Sequence, residues 1–455
     1  QRFKRRWLDS IYKHCHFIAA YQSRHSSANN HLFGELMGLF VAATTWPMWK
    51  EGARWKKDAF AELEIEALKQ NTADGVNREQ AIYYQHEIID MMLICGLVGR
   101  ANGIEFSQNY WNRIERLLEF IAAVMDVSGN VPMIGDADDA LIVCWNQEPE
   151  WNLYRSLLAT GAVLFKRDDF KAKGMRFDDK CQWLLGDAAK HAFDVMDATD
   201  DASSTRREFR DGGYFIMGRN LDDMREIRLV VDAAPLGYLS IAAHGHADAL
   251  AFTLSVAGCT MLIDPGTYSY HTQKVWRDYF KGTSAHNTVR VDGFDQSESG
   301  GNFMWLRKAQ AYCEQWSQAD DRDVFVGCHD GYAALPDPVI HRRKIELIKN
   351  DEVIFVEDTL ECQGEHEIEL HWHFSEKCTI EIEERKVIVK QNNVRLEMTM
   401  PDAAWNPALH RGQVAPPLGW VAYHFDEKLP SPTIAWRGKI VGTAKKMTVF
   451  KIAIE

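Results

Sequence analysis

The sequence has 455 residues, of which 46% are hydrophobic and 26% are charged, and its formal net charge is −13 at pH 7. This length and composition are typical of a globular protein with two or three domains and exclude a fibrous or disordered chain. The acidic balance disfavours nucleic acid as a partner, because phosphate binding needs a basic surface.

The first part of the chain has the apolar spacing of amphipathic helices. Apolar residues recur at intervals of three and four over residues 32–40, 59–68, 88–98 and 114–121. Glycine and proline residues separate these runs, as expected between helices. We therefore predict a domain of helical hairpins over residues 1–195. Because the sequence starts at Gln1 within a helical pattern, we also expect this domain to lack a preceding part.

The spacing changes beyond Gly212 to an alternation with a period of about two, which is typical of β-strands. Many short strands separated by turns favour an antiparallel β-sandwich, which we place at residues 213–455. The polar, charged stretch 196–212 is the expected linker. The clearest predicted strands are 214–217, 228–231, 288–291, 353–356, 367–372 and 446–450.

The nine cysteines are an odd number without paired spacing. Cys15, Cys95 and Cys144 fall in apolar runs that resemble helices, so we interpret them as small buried residues rather than disulfide partners. No apolar run reaches the roughly 18 residues that a membrane-spanning helix needs, so we expect no membrane segment. The sequence does not predict an oligomeric state.

The densest group of chemically active residues in the sequence is His244-Gly245-His246-Ala247-Asp248. On an extended chain, the two histidines would point the same way. Asp264 and His286 follow closely, and two histidines with one carboxylate would fill three positions of a tetrahedral zinc site. We predict His246, Asp264 and His286 as its ligands. The alternative is that these histidines form ordinary hydrogen bonds at strand ends.

Two further clusters lie in the helical half. Asn29 precedes Asn30 and His31 at the start of an apolar run, where asparagine is a natural helix N-cap. Further along, a turn at Asp74-Gly75 leads into a helix whose first turns carry Tyr84. Capping and packing are the simpler interpretations of these residues, but capping does not explain the histidine beside two asparagines.

The order of these motifs resembles the heparinase II/III-like family of polysaccharide lyases. The strings HGHADALAF, DPGTYSY, WRDYF and AHNTVRVDG carry the resemblance in the β half. NNHLFGE and DGVNREQAIYY carry it in the helical half. The resemblance implies an α+β multidomain protein, with an incomplete N-terminal (α/α) toroid of helical hairpins followed by an antiparallel β-sandwich.

The resemblance also implies roles for individual residues. Asn30 and His31 match the motif that neutralises a uronate carboxylate, Tyr84 matches the catalytic tyrosine and His244 the catalytic histidine. Tyr83 lies beside Tyr84, so the tyrosine assignment is open to a shift of one position. The three metal ligands match as well, and we expect their zinc to be structural. The expected substrate-binding residues are Glu35, Glu79, Gln80, Arg277 and Tyr279.

The resulting prediction is a carbon–oxygen lyase that cleaves an anionic, uronic-acid-containing polysaccharide by β-elimination. Glycosaminoglycans such as heparan sulfate, chondroitin or hyaluronan are the first expectation for the substrate, and alginate or an exopolysaccharide is the alternative. A glycoside hydrolase or an inactive carbohydrate-binding homologue is the rival function. A hydrolase would need two carboxylates, for which Glu35, Glu79, Asp136 and Asp138 are the candidates. We expect a periplasmic or secreted bacterial protein.

Overall fold

The structure is a computed structural model that divides into two compact units. It describes residues 1–148, 151–197, 206–383, 386–399, 402 and 404–455. The helical unit comprises Gln1–Glu79, Tyr84–Phe120 and Leu141–Thr199. The β unit comprises Gln80–Tyr83, Ile121–Ala140 and Asp200–Glu455. Residues 198–205 of the expected linker lie outside the described residues, and the domain boundaries stay a prediction.

The described residues contain ten α-helices, nine of which precede the first strand. Among these residues, no helix combines the length and the apolar character that a bilayer crossing requires. The helices are α1 (Arg2–Ala20), α2 (Asn30–Thr45), α3 (Gly52–Lys69), α4 (Ile82–Ala101), α5 (Gln108–Val124), α6 (Leu153–Phe165), α7 (Asp168–Gly174), α8 (Asp179–Leu185), α9 (Asp187–Val195) and α10 (Lys274–Lys281).

The four predicted amphipathic runs are confirmed as α2, α3, α4 and α5. Apolar residues of α2 and α3 build an aromatic cluster in the core of the helical unit, together with Phe106 from the loop before α5. The ring of Phe106 lies 5.5 Å from that of Phe40 and 4.7 Å from that of Phe60, and Phe40 is fully buried. Such aromatic pairs contribute about 0.5–1.5 kcal/mol each beyond the burial of their area. The apolar spacing therefore marks the helix faces that form this core.

The described residues contain 23 β-strands, all in the β unit. They are β1 (Glu208–Phe209), β2 (Tyr214–Arg219), β3 (Ile227–Asp232), β4 (Phe252–Val256), β5 (Cys259–Leu262), β6 (Val289–Val291), β7 (Glu298–Gly301), β8 (Met304–Arg307), β9 (Ala311–Gln318), β10 (Arg322–Tyr332), β11 (Val339–Ile348), β12 (Val353–Glu361), β13 (Glu365–His373), β14 (Thr379–Glu383), β15 (Lys386–Gln391), β16 (Val394–Thr399), β17 (Pro407–Arg411), β18 (Gln413–Val414), β19 (Pro417–Leu418), β20 (Trp420–His424), β21 (Glu427–Pro430), β22 (Pro432–Val441) and β23 (Ala444–Ile454).

Three antiparallel sheets form the body of the β unit. A five-stranded sheet runs in the order β1-β2-β3-β4-β5, and an eight-stranded sheet runs β14-β15-β16-β23-β12-β11-β10-β9. A four-stranded sheet has the order β17-β22-β13-β6. Their apolar faces share one core, in which the ring of Trp372 lies 5.5 Å from Phe252 and 5.0 Å from Phe450. The antiparallel sheets predicted from the alternating pattern are confirmed.

Two local predictions are wrong. The segment with His244 and His246 is an irregular loop between β3 and β4 rather than regular extended chain, and His244 itself lies in a turn. Its backbone passes so close to a neighbouring loop that a Cβ atom on Gly245 would lie 1.4 Å from the carbonyl oxygen of Leu236. Cys144 is exposed rather than buried, because it lies in a loop outside any helix. All nine cysteines are free, as expected.

Candidate functional site

A fully buried carboxylate, Asp136, organises the histidine motif of the β unit. Its Oδ2 atom lies 3.1 Å from Nδ1 of His244, and its Oδ1 atom lies 2.9 Å from Nε2 of His246. The guanidinium of Arg277, which is also fully buried, donates to both oxygens, with 2.8 Å from Nη2 to Oδ2. One carboxylate therefore joins two histidines and an arginine.

Asp136 is ionised in this arrangement. Burial opposes its ionisation, but the charge of Arg277 and the two histidine hydrogen bonds outweigh burial, so the pKa of the carboxyl lies well below its usual value. An ionised carboxylate only accepts hydrogen bonds, so each histidine donates to Asp136. In the neutral form of each ring, these contacts fix the tautomer: Nε2 would be the basic nitrogen of His244, and Nδ1 that of His246.

Aromatic rings surround the His244 imidazole. The ring of Phe303 lies 5.8 Å away and that of Tyr270 lies 6.5 Å away, and these two rings contact each other at 4.9 Å. His244 itself is only 5% exposed. The β unit therefore holds an oriented imidazole in a largely dry setting, which suits a group that exchanges a proton with a substrate.

The structure brings His246, Asp264 and His286 together. All three are buried, and their candidate ligand atoms lie within 4.8 Å of one another. Nδ1 of His246 and Nε2 of His286 are buried without a hydrogen-bond partner. Buried polar atoms normally have partners, so these two nitrogens fit a bound cation. The set of two imidazoles and a carboxylate is one that Zn²⁺ accepts.

Buried carboxyl groups crowd around His246, Asp264 and His286, and their mutual repulsion also fits a bound cation. Burial, followed by the charge of Asp232, raises the pKa of Asp248 well above its usual value. Burial raises the pKa of Asp232 to about 7, and the charge of Asp264 adds to this. Each carboxylate thus disfavours ionisation of its neighbours, and a divalent ion beside Asp264 would relieve that repulsion.

The carboxylate that orients the candidate metal ligand His246 is Asp136. Its contact with Nε2 of His246 leaves Nδ1 of that ring for the ion, as in the carboxylate–histidine–metal arrangement of many metal sites. From the sequence, Asp248 was equally open to this orienting role and to a plain role in the turn. The sequence proposed Asp136 only as a hydrolase carboxylate.

In the helical unit, Glu79 holds the start of α2. Its Oε2 atom accepts a hydrogen bond of 2.9 Å from the Asn29 side chain, and its Oε1 atom accepts one of 3.1 Å from the Asn30 backbone N–H. The Asn29 side chain in turn accepts from the His31 backbone N–H, as an N-cap does. A carboxylate at a helix N-terminus is electrostatically favourable. The result is a fixed position for Asn30.

The start of α4 positions Tyr84. The turn before it requires glycine, since Gly75 has a φ of +99° and a Cβ atom there would lie 2.0 Å from the carbonyl oxygen of Arg116. The Gln85 side chain accepts from the Asn77 backbone N–H at 2.9 Å and donates to the Gly75 carbonyl at 3.1 Å. Tyr84 is 5% exposed. The first turn of α4 is therefore tied to the preceding loop on the side of Gln85.

The residues expected to bind substrate have other partners in the structure. Glu35 accepts from the Ser23 backbone and hydroxyl at 2.6 and 2.7 Å. Arg277 is occupied by Asp136 and by the carbonyl of Asn302. Tyr279 packs in an apolar cluster, with no hydrogen-bond partner for its hydroxyl. Positioning and packing therefore describe these three residues better than substrate contact.

Gln80 and Glu79 are the other two residues that were expected to bind substrate. Gln80 is 6% exposed, has a φ of +57° and donates from its side chain to the carbonyl of Gly212 at 3.4 Å. Glu79 is 2% exposed, and its oxygens serve the two asparagines at the start of α2. Both residues therefore act on the protein backbone or on neighbouring side chains.

The sequence did not predict two buried charged residues that lie beside the histidine motif in the β unit. Asp136 is one, and the other is Lys281, which is 1% exposed and has its amine over the ring of Trp305 at 4.6 Å. Burial, and then the charge of Arg277, lowers the pKa of Lys281 to about 8. The position of Lys281 directly after the WRDYF string was the available signal. No local pattern marks Asp136.

Comparison with known proteins places the chain in a family. Residues 1–153 match the family model described as "Heparinase II/III N-terminus", and residues 201–447 match "Heparinase II/III-like, C-terminal". Together these ranges cover most of the chain, and they include both the start of α2 and the histidine motif.

Curated relatives include two proteins named heparin-sulfate lyase. The one from Pedobacter heparinus is 22% identical over 82% of this chain and 50% of its own length. The one from Bacteroides stercoris is 24% identical over 81% of this chain and 49% of its own length. The chain thus spans about half of each of these relatives.

A solved structure shares the fold. The heparan sulfate lyase HepC from Pedobacter heparinus superposes with a TM-score of 0.70 at 18% identity, covering 100% of this chain and 64% of that one. Its similarity confirms the predicted fold class, with a helical region followed by antiparallel sheets. By its two family matches, the chain belongs to the heparinase II/III-like family.

Proposed function

We propose that this chain acts as a polysaccharide lyase that cleaves uronic-acid-containing chains by β-elimination. The observation that carries the proposal is the contact between Nδ1 of His244 and the ionised Asp136, which leaves Nε2 as the basic nitrogen of an oriented, buried imidazole. Family membership supplies the reaction class, and the geometry of His244 suits proton transfer.

The reaction must first acidify the C5 proton of the uronate. Neutral or positive donors aimed at the neighbouring carboxylate stabilise the negative charge that develops when this proton leaves, and each is typically worth about 3–4 kcal/mol. Asn30 and His31 would take this role. Support comes from Glu79, which fixes the backbone of Asn30 and the side chain of Asn29 beside it.

Two proton transfers complete the elimination. A base removes the C5 proton, the electron pair of that bond forms the C4–C5 double bond, and O4 leaves with a proton supplied by an acid. We assign Tyr84 as the acid that protonates O4, and His244 as the base. The products are one fragment with a new hydroxyl group and one with an unsaturated uronate end, and no water is consumed.

The contacts of the available carboxylates weigh against a glycoside hydrolase. A hydrolase needs a carboxylic acid with a raised pKa to protonate the leaving group. The pKa of Asp136 is instead well below its usual value. The oxygens of Glu35 and Glu79 accept hydrogen bonds from Ser23 and from the asparagines at the start of α2.

A glycosaminoglycan of the heparan sulfate type is the substrate that we propose first. The support is the printed name of the two curated relatives, both heparin-sulfate lyases. Chondroitin, hyaluronan, alginate and bacterial exopolysaccharides are the other polymers that should be tested as substrates. We also propose that the protein acts in the periplasm or outside the cell, where such polymers are met.

We further propose that the chain binds a zinc ion through His246, Asp264 and His286. Zinc would fix the turn that carries His244, two residues from one ligand, and the reacting groups remain the protein's own side chains. Elemental analysis of purified protein tests this, with one equivalent of zinc expected to disappear in His246→Ala. An unchanged metal content in that variant would contradict the assignment.

The experiment that tests the function is a panel of uronic-acid polysaccharides followed by ultraviolet absorbance. The conjugated double bond of an unsaturated uronate absorbs, whereas a hydrolase product does not. We expect absorbance to rise with a heparan sulfate-type substrate. New reducing ends without absorbance would favour the hydrolase, and saccharide binding without turnover of any polymer would favour an inactive homologue.

A further inference from the structure

A second group of potential metal ligands lies in the β unit, apart from the histidine motif in sequence. Asp337, Cys362 and His366 place their ligand atoms within 4.8 Å of one another. His366 is 3% exposed, and the other two residues are partly buried. Among the described residues, this is the one such group that contains a cysteine.

The imidazole of His366 is held at both nitrogens by carboxylates. Nδ1 lies 2.7 Å from Oδ2 of Asp292, and Nε2 lies 2.9 Å from Oδ2 of Asp337. Asp292 is itself fixed, because its Oδ1 atom accepts a hydrogen bond of 2.8 Å from the backbone N–H of Glu367. Nε2 therefore points toward Asp337, and Asp292 occupies the position of an orienting carboxylate.

The backbone around the group is built to hold Asp337. Its Oδ2 atom accepts from the backbone N–H of Gly364 at 2.5 Å and from that of Gln363 at 3.2 Å. A Cβ atom on Gly364 would lie 2.9 Å from that oxygen, so glycine permits this approach. The carboxylate is thus fixed over the turn that joins Cys362 to His366.

The thiol of Cys362 is placed by a different turn. Its Sγ atom lies 3.1 Å from the carbonyl oxygen of Gly442, and the Gly442 backbone N–H donates to the Gly364 carbonyl at 2.7 Å. The connection between β12 and β13 is therefore packed against the connection between β22 and β23. Three side chains with different donor atoms converge where these two connections meet.

We propose that Asp337, Cys362 and His366 form a second site for a divalent transition-metal ion, with Asp292 orienting the imidazole. Sulfur, nitrogen and oxygen donors in a group of three are a set that Zn²⁺ and Co²⁺ accept. On binding, the protons of the thiol and of His366 Nε2 pass to solvent, and Asp337 keeps its negative charge.

The competing arrangement is a protonated His366 held between two carboxylates. That ion pair leaves one net negative charge, and the adjacent thiol only donates a hydrogen bond to the carbonyl of Gly442. A divalent ion would compensate both the remaining carboxylate charge and the thiolate, using donors that are already in place. This is the physical reason to prefer a metal site over an ion pair.

Such an ion would connect two of the sheets. Cys362 follows β12 of the eight-stranded sheet, whereas His366 lies in β13 of the four-stranded sheet. Asp337 lies between β10 and β11, and Asp292 follows β6. The site would therefore fasten the β12–β13 crossover to the loops at the ends of both sheets.

Titration of the chelator-treated protein with Co²⁺ tests the proposal. A thiolate bound to Co²⁺ gives a charge-transfer absorption in the near ultraviolet, which the cysteine-free group of His246, Asp264 and His286 cannot produce. We expect this band in the wild-type protein at one equivalent of bound ion, and we expect Cys362→Ser to lose both the band and that equivalent. The outcome does not depend on the proposed lyase activity.

A matched cysteine provides the control. Cys313 is also partly buried, and its Sγ atom lies 3.3 Å from the carbonyl oxygen of Gln315. Among the described residues, however, Cys313 does not belong to any group of three potential metal ligands. Cys313→Ser should keep the band. His366→Gln, which retains the thiol, should weaken Co²⁺ binding by at least about 10-fold. Absence of the band from the wild type, or its persistence in Cys362→Ser, overturns the proposal.

Discussion

Nδ1 of His244 lies 3.1 Å from Oδ2 of Asp136, although the two residues are 108 positions apart in the chain. This contact sets the tautomer of the imidazole, and the same carboxylate serves His246 and Arg277. The proposed catalytic histidine and the proposed metal ligand beside it are therefore oriented by one side chain.

Replacement of this carboxylate should damage catalysis more than substrate binding. In Asp136→Asn, the amide would no longer select the His244 tautomer, so we expect kcat to fall by about 10²-fold or more with little change in KM. Arg277 would lose its buried counter-ion, so the free energy of unfolding should fall by about 3–5 kcal/mol. Initial rates and chemical denaturation measure the two effects. Asp138→Asn is the matched control in the same loop, and equal kcat values for the two variants would contradict the role of Asp136.

Tyr84→Phe removes only the phenolic hydroxyl. If Tyr84 protonates the leaving O4, turnover should fall by about 10²–10⁴-fold while circular dichroism and the melting temperature stay close to the wild type. Tyr83→Phe is the control, because its hydroxyl donates to the carbonyl of Ala140 at 2.9 Å. Should Tyr83→Phe lose activity and Tyr84→Phe keep it, the catalytic tyrosine would be the neighbouring one.

Glu79 should act as a positioning residue. Glu79→Gln keeps the size of the side chain but would turn an amide N–H₂ toward donors of Asn29 and Asn30. We expect kcat to fall by about 10–100-fold as Asn30 loses its fixed position, with a smaller effect on KM. Glu35→Gln, which alters a carboxylate that holds Ser23, is the comparison. The role fails if steady-state kinetics show the two variants to be equally active.

A buried network in the eight-stranded sheet predicts a specific pH dependence. Oδ1 of Asp358 accepts hydrogen bonds from Nε2 of His341 at 2.8 Å and from Nε of Arg343 at 2.7 Å. Burial raises the pKa of Asp358, but the charge of Arg343 and the His341 hydrogen bond outweigh burial and bring it to about 2. Because this value lies below the roughly 3.9 of an unfolded chain, ionised Asp358 stabilises the fold above about pH 4. That contribution is lost as the pH falls toward 2.

Asp358→Asn should therefore lower the free energy of unfolding by about 3–5 kcal/mol at neutral pH, because it leaves Arg343 without its buried partner. The difference from the wild type should shrink below about pH 4. Denaturant unfolding over this pH range measures it, with the exposed Asp351→Asn as the control. A difference that stays constant down to about pH 3 would show that the ionisation of Asp358 is not its source.

Periodicity predicts elements such as α4 and β13 because each repeats its contact with the core along its length. In β13, for example, Ile368, Leu370 and Trp372 all point into the shared core. The motif strings also indicate His246, Asp264 and His286, and the structure brings these three residues together. These features are local in sequence, or are carried by the family resemblance.

The Asp136 contacts were missed because nothing in a local pattern links a loop carboxylate to histidines more than a hundred residues later. The same limit explains Arg277, whose charge suggested substrate binding but which is fully buried against Asp136. The contacts of Glu79 with Asn29 and Asn30 at the start of α2 were not predicted either, and its role in substrate binding stays a prediction. Polar partners across long chain separations depend on the complete fold, and the sequence pattern does not encode them.

The mass balance of the products tests the central claim, β-elimination, most directly. A uronic-acid oligosaccharide of defined length is incubated with the protein, and the masses of both fragments are determined. Elimination predicts that the two masses add up to that of the substrate, with the unsaturated uronate on one fragment. A sum that exceeds the substrate by one water molecule would contradict the account.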